Sequence, residues 1–161
     1  MFELFKTIIS NLVDDDGPRN KIENCRLAAA ALLISVATVE HEMTEPRGRK
    51  LQAVLKSCFK LDDQAVAQLI EAAHAADRKA VDLYHFTRQL DALDHENRRQ
   101  IVRMLWEITY VDGSPNEAER NIIWRAADLL GVSSRQRIEL RQSVAAERAV
   151  NAGGFSTAGA R

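Results

Sequence analysis

Carboxylate side chains gather at two corners of the sequence, each placed where one helix-forming segment gives way to the next. Residues 110–119 carry three carboxylates, and residues 40–47 carry three more beside His41. Carboxylate oxygens are the ligands that hard divalent cations prefer, and carboxylates with an imidazole can hold a transition metal. The predicted ligands of a divalent metal ion, of unspecified identity, are Asp112, Glu117 and Glu119 in the second corner and Glu40, Glu42 and Glu45 in the first.

The second corner also has a simpler explanation as a helix start. Asn116 precedes Glu119 by three residues, which is the spacing of a capping box. Acidic residues in a first turn are favoured by the helix dipole. An EF-hand is excluded, because Gly113 would be its second residue rather than its sixth and Ile123 would replace the bidentate glutamate. Two interpretations therefore stay open: a metal site, or an acidic surface that docks a basic protein partner.

Composition and motifs exclude several other functions. The chain has 161 residues and a net charge of −1, with 22 Lys+Arg against 23 Asp+Glu, which argues against nucleic-acid binding. Two cysteines cannot form a disulfide scaffold or a four-cysteine zinc site, and they suit a reduced cytoplasmic setting. The longest apolar stretch, residues 28–39, is too short to span a bilayer. No P-loop or nucleophile elbow is present, so we predict a protein that is not an enzyme.

One motif keeps a different metal protein as an alternative. Glu71 and His74 match the Glu-x-x-His signature of di-iron helices. A ferritin-like di-metal bundle needs a second copy of that motif, and the sequence does not contain one.

Helical periodicity runs through the chain, and its few glycines and prolines separate the periodic segments. We predict an all-α fold of about eight helices, with a single domain over residues 1–149 and a disordered tail over 150–161. Residues 21–39 should form a central helix, because the middle of this segment, residues 28–39, is apolar all round. The first helix should either dock on the domain or lie on a membrane surface as a peripheral contact. Docking is favoured because Lys6 is its only cation; its apolar face comprises Phe2, Phe5, Ile8, Ile9 and Leu12.

The two halves of the sequence resemble each other. Val39 aligns with Val111, Glu40 with Asp112, and Glu45 with Glu117. We therefore predict two pseudo-symmetric three-helix units packed on two central helices, residues 21–39 and 94–111. In that arrangement the two acidic corners are expected to lie near each other.

The run Tyr110-Val111-Asp112-Gly113, followed by residues 114–119 and a helix with two adjacent isoleucines, resembles the tellurite-resistance protein B (TerB) family. The resemblance implies an all-helical pseudo-symmetric fold without catalysis, whose acidic corners meet in a divalent-metal or partner-binding site. It also implies a role in bacterial chemical-stress responses, often near membranes, or a co-chaperone-like interaction module. The first half departs from the family pattern, because Arg47 stands where Glu119 stands in the second half. A basic residue at a ligand position argues against a symmetric metal site.

Overall fold

The computed structural model describes the backbone of residues 18–159 and the side chains of residues 23–151, and every regular element in that part is helical. A 3-10 turn, Tyr110–Asp112, directly follows the helix that ends at Thr109. Seven helices over the described residues confirm the predicted all-α fold. The predicted first helix, residues 2–12, lies outside the described residues. The helices are α1 (Pro18–Ala37), α2 (Glu45–Phe59), α3 (Asp63–Lys79), α4 (Tyr84–Gln89), α5 (His95–Thr109), α6 (Glu117–Leu129) and α7 (Ser134–Gly159).

Helix α1 is the centre of the fold. Residues 28–34 are each at most 1% exposed, and α1 packs against α2, α3, α4, α5 and α6. Four consecutive alanines favour the helical conformation and let neighbouring helices approach closely. The apolar sequence around them leaves no face suited to solvent, so the segment is buried on all sides, as predicted.

Helix α5 is the second central helix. Its predicted stripe, Ile101, Leu105 and Ile108, is fully buried, and α5 packs against α1, α2, α6 and α7. The opposite side carries charged residues, including Arg103 and Glu107, which form an ion pair on the helix surface. Both central helices end at an acidic corner, so their packing determines how the corners meet.

Side-chain caps fix the helix starts at both corners. Thr44 accepts a hydrogen bond from the backbone N–H of Arg47 and starts α2. Asn116 and Glu119 form the predicted capping box at the start of α6. Gly131, at φ 73°, ends that helix in the left-handed conformation that glycine adopts at least cost. The local sequence therefore sets the direction of the chain on each side of the corners.

The last helix continues past Ala149, where the sequence pattern places its end, and reaches Gly159. Ala145, Ala146 and Ala149 favour helix, and no proline interrupts the segment. The division of the chain at residue 149 stays a prediction, because the side chains beyond Asn151 lie outside the described residues. Among the described helices, none combines the length and the apolar character needed to cross a membrane.

Candidate functional site

The two acidic corners contact each other through a reciprocal pair of hydrogen bonds. Thr44 Oγ1 donates to Asp112 Oδ2 at 2.8 Å, and Asn116 Nδ2 donates to Glu40 Oε2 at 2.9 Å. Each helix-capping residue thus binds the corner carboxylate of the other half of the chain. This exchange is what a pseudo-two-fold arrangement of the two halves requires.

Arg47 lies buried between the two corners, with 6% of its surface exposed. Its Nε is 3.1 Å from Asp112 Oδ2, and its Nη2 is 2.6 Å from Glu119 Oε2. The same guanidinium donates to the carbonyl oxygen of Ala37, at the end of α1 (2.9 Å), and to that of Thr109, at the end of α5 (3.4 Å). Cations are favoured at helix C-termini, where the carbonyl groups carry partial negative charge. One side chain therefore pairs with two carboxylates and joins the ends of both central helices.

We call the residues that meet here the corner cluster. Its members are positioned by helix ends rather than by a flexible loop, because Thr44 and Asn116 are the caps of α2 and α6. The corner cluster comprises Glu40, Thr44, Arg47, Asp112, Asn116 and Glu119.

Glu119 is the most buried carboxylate of the corner cluster, and its side chain is only 4% exposed. Its Oε1 accepts the backbone N–H of Asn116 at 3.3 Å, and its Oε2 faces Arg47. Arg47 Nε and Glu119 Oε2 are close to their ionic partners without an aligned hydrogen bond within the described residues. The contacts are therefore ion pairs held by charge. A buried carboxylate of this kind depends on its cationic partner, because a charge without a partner is costly in a dry environment.

The predicted site residues outside the corner cluster lie at the same corners but point to solvent. Glu45 is exposed and pairs with Arg49, one turn further along α2, at 3.0 Å. Glu42 and Glu117 are also exposed. Glu40, a member of the corner cluster, is itself exposed, with His41 Nε2 4.0 Å from its carboxylate. We call the exposed carboxylates of the two corners that have no arginine partner among the described residues, Glu40, Glu42 and Glu117, the acidic rim.

The donor set of the corner cluster does not fit a divalent metal ion well. The guanidinium of Arg47 already contacts oxygens of Asp112 and Glu119, so a metal ion would have to displace it. Among the described residues, no group of three or more His, Cys, Asp or Glu side chains has the arrangement of a metal site. Metal binding by the six predicted carboxylates stays a prediction.

The alternative metal motif lies on α3. Glu71 is exposed and His74 is half-buried. Over residues 23–151, Glu71 and His74 are not part of any group of three or more His, Cys, Asp or Glu side chains that could hold a metal ion. The pair therefore adds no support for a di-metal bundle.

Sequence reasoning identified the cap at Asn116 and the carboxylates but missed the contacts that link the two corners. The available signal was the alignment of the halves, in which Thr44 and Asn116, Arg47 and Glu119, and Glu40 and Asp112 occupy equivalent positions. In a two-fold arrangement, residues near the axis meet their own equivalents. The substitution of arginine for glutamate at one such position therefore converts a repulsive pair of acids into an ion pair.

Replacing Asn116 tests the reciprocal bonds. Asn116→Ala removes both the cap of α6 and the donor to Glu40, so we expect the free energy of unfolding to fall by about 1–2 kcal/mol. Asn116→Asp keeps an acceptor for the cap but replaces the donor to Glu40 with a like charge, and we expect a smaller loss. Urea unfolding of both variants measures the two losses. An unchanged unfolding curve for Asn116→Ala would contradict this assignment.

Comparison with known proteins agrees with this architecture. The family model described as "Tellurite resistance protein TerB" matches residues 26–142, well over half of the chain. No curated protein gives a significant match, and no solved structure does so either. The matched segment includes both acidic corners and every residue of the corner cluster. The chain belongs to the TerB family.

Proposed function

We propose that this chain is a non-catalytic, protein-binding member of the TerB family whose corners are held together by Arg47 rather than by a metal ion. The observation that supports this proposal is the guanidinium of Arg47 buried between Asp112 and Glu119. A permanent positive charge at that point performs the bridging role that a divalent cation would have between two acidic corners. The joined corners then form a rigid surface that does not depend on metal supply.

The negative charge of the acidic rim favours a basic protein segment as the partner. Glu42 and Glu117 are exposed, and the side chain of Glu40 is 45% exposed. Arg47 is directed inward, toward Asp112 and Glu119, so it does not offset the negative charge that the rim presents to solvent. Complementary charge of this kind speeds association and selects the partner.

The rim can be tested with a lysine- and arginine-rich peptide as the probe. We expect the peptide to shift backbone amide resonances at residues 40–45 and 112–119, and to bind more weakly as salt is raised. The double variant Glu42→Lys/Glu117→Lys should lose this binding. Glu71→Lys/Asp91→Lys, which makes the same charge change at exposed positions elsewhere, should retain it. If both double variants lost peptide binding equally, the effect would come from net charge alone. That result would contradict specific binding at the rim.

Divalent-metal binding at the corners is the second candidate, supported by the carboxylate content of the corner cluster. Calorimetric titration with Ca²⁺, Mg²⁺, Mn²⁺ and Zn²⁺ distinguishes the two. We expect no binding heat with the unaltered protein, and binding in Arg47→Glu, in which a carboxylate replaces the guanidinium. Heat from the unaltered protein that disappears in Asp112→Asn would refute the metal-independent proposal.

We further propose that the protein acts in the bacterial cytoplasm in a stress response of the tellurite-resistance type. The family match supports the stress role, and Cys25 and Cys58, which are buried and form no disulfide, suit a reducing compartment. A deletion strain should be more sensitive to tellurite and should be rescued by the unaltered gene but not by Glu42→Lys/Glu117→Lys. Full rescue by that variant would show that the cellular role does not require the rim.

A further inference from the structure

A groove of about 380 Å³ opens on the surface between α2 and α5. On the α2 side it is lined by Ala53, Val54 and Ser57, of which Ala53 and Ser57 are exposed. Met104 lines it on the α5 side. Small side chains on a helix face allow another helix to approach closely. The groove contains no residue of the corner cluster or of the acidic rim, so it is a separate surface.

The contacts at its two ends give the groove a length and a direction. At one end, Lys50 Nζ is 3.8 Å from Glu107 Oε2. The other end is lined by Cys58 and Asn97, so α2 and α5 run antiparallel along the groove. From Asn97 to Glu107 it extends about 15 Å along the axis of α5, which is about three turns of helix.

Helix α1 begins near the Cys58 end of this groove. The guanidinium carbon of Arg26 lies 5.8 Å from the centre of the Phe59 ring, at the end of α2. From Arg26, α1 extends back to Pro18, a distance of about 12 Å along its axis. The chain that precedes Pro18 therefore connects to the fold close to one end of the groove.

Residues 2–12, which lie outside the described residues, have the length and the apolar pattern that the groove requires. Eleven residues of helix span about 16 Å, close to the length of the groove. Residues 13–17, the linker, reach about 17 Å when extended, which is enough to turn back from Pro18 to the Cys58 end. A helix shorter than about 12–15 residues is marginal by itself in water, so the predicted helix needs an apolar surface to pack on.

A second groove, between α3 and α4, lies at the opposite end of α1. It is lined by Val81 and several alanines. Ser35, close to the end of α1, donates a hydrogen bond to Asp77 beside it. Ser35 is about 26 Å from Pro18 along the axis of α1, which exceeds the reach of the linker. Chain length therefore favours the groove between α2 and α5.

We propose that residues 2–12 form a helix that fills the groove between α2 and α5, with Leu12 near Cys58 and Phe2 near Glu107. This helix runs antiparallel to α1 and places the middle of its apolar face on the small side chains of α2. Docking removes that apolar face from water and closes this side of the helical bundle.

A spin label on the segment tests the proposal in the full chain. Thr7→Cys introduces one thiol on the polar face of the predicted helix. The native thiols of Cys25 and Cys58 are shielded, since these residues are 3% and 4% exposed. Burial also raises the pKa of the Cys58 thiol to about 12, and the reactive thiolate is therefore scarce at the pH of labelling. A nitroxide reagent should label Thr7→Cys selectively.

The label should broaden the backbone amide resonances of the groove. We expect residues 53–57 and 100–104 to lose most of their peak intensity relative to the reduced label. Residues 72–76, on the second groove, should keep theirs.

Two double variants in the segment provide a matched control. Phe5→Asp/Ile9→Asp places two acids on the apolar face and should abolish the broadening. Ser10→Asp/Asn11→Asp places the same two charges on the polar face and should retain it.

A second matched pair alters the groove instead of the segment. Ala53 and Ala67 are both exposed helical residues, and of the two only Ala53 lines the groove. Ala53→Arg should obstruct docking and reduce the broadening, whereas Ala67→Arg should leave it unchanged.

Three results would overturn the proposal. One is the absence of broadening at residues 53–57 and 100–104. Another is an equal effect of the two double variants in the segment. The third comes from mixing the spin-labelled chain with isotope-labelled chain that carries no spin label. Broadening of the groove amides in that mixture would mean that the segment of one copy docks on another copy.

Discussion

Replacing Arg47 with methionine is expected to lower the free energy of unfolding by about 3–5 kcal/mol. The substitution keeps an apolar side chain of similar length but removes the charge that faces Asp112 and Glu119. Glu119 is buried and would be left without its cation. The carbonyl groups of Ala37 and Thr109 would also lose their donor. Urea unfolding followed by circular dichroism measures the loss.

Arg49→Met is the matched control for this prediction, because it makes the same chemical change two residues away on α2. Arg49 pairs with Glu45 at the surface, where both side chains are mostly exposed. Exposed pairs of this type contribute about 0.3–0.5 kcal/mol, so Arg49→Met should be nearly neutral. Similar losses in Arg47→Met and Arg49→Met would mean that burial of the Arg47 ion pairs has no energetic consequence.

Truncating a buried side chain of the central helix α1 should lower the free energy of unfolding by a comparable amount. Leu33 in α1 is fully buried, and Leu33→Ala should cost about 2–5 kcal/mol because it removes apolar contacts and leaves a cavity. Thermal and urea unfolding report this loss.

Leu129→Ala makes the same substitution at the end of α6, where the leucine is 38% exposed. We expect it to cost about 1 kcal/mol or less, because fewer contacts are lost and no closed cavity forms. If both leucine variants were equally stable, α1 would not have the central position assigned to it.

The sequence predicted the helical architecture well because its signals are local. The apolar run of α1 and the stripe of Ile101, Leu105 and Ile108 identify the two central helices, and both are buried. The caps at Thr44 and Asn116 follow from residue type and spacing alone. Both caps are present in the structure.

The chemistry of the corner could not be predicted in the same way, because it depends on contacts between residues far apart in the chain. Arg47 precedes Glu119 by 72 residues, and only the packing of α1 on α5 brings them together. The alignment of the two halves places Arg47, a basic residue, opposite the acidic Glu119. Whether that base points to solvent or between the carboxylates is decided by tertiary structure, and Arg47 points inward.

The position of Asn97 was also beyond sequence reasoning. As the third residue of α5 it resembles an ordinary polar first-turn residue. In the structure it is only 1% exposed, and α5 packs against α1, α2, α6 and α7. A polar residue in a first turn is normally solvated, so no local pattern distinguishes this one.

A double-mutant cycle on Arg47 and Glu119 measures the central claim directly, since it isolates the interaction between the two side chains. The variants are Arg47→Met, Glu119→Gln and the double variant, each characterised by urea unfolding with EDTA present. We predict that the double variant is more stable than the sum of the single losses implies, with a coupling energy of about 1.5–3 kcal/mol. Additive losses, with a coupling energy near zero, would contradict the account that Arg47 joins the two corners.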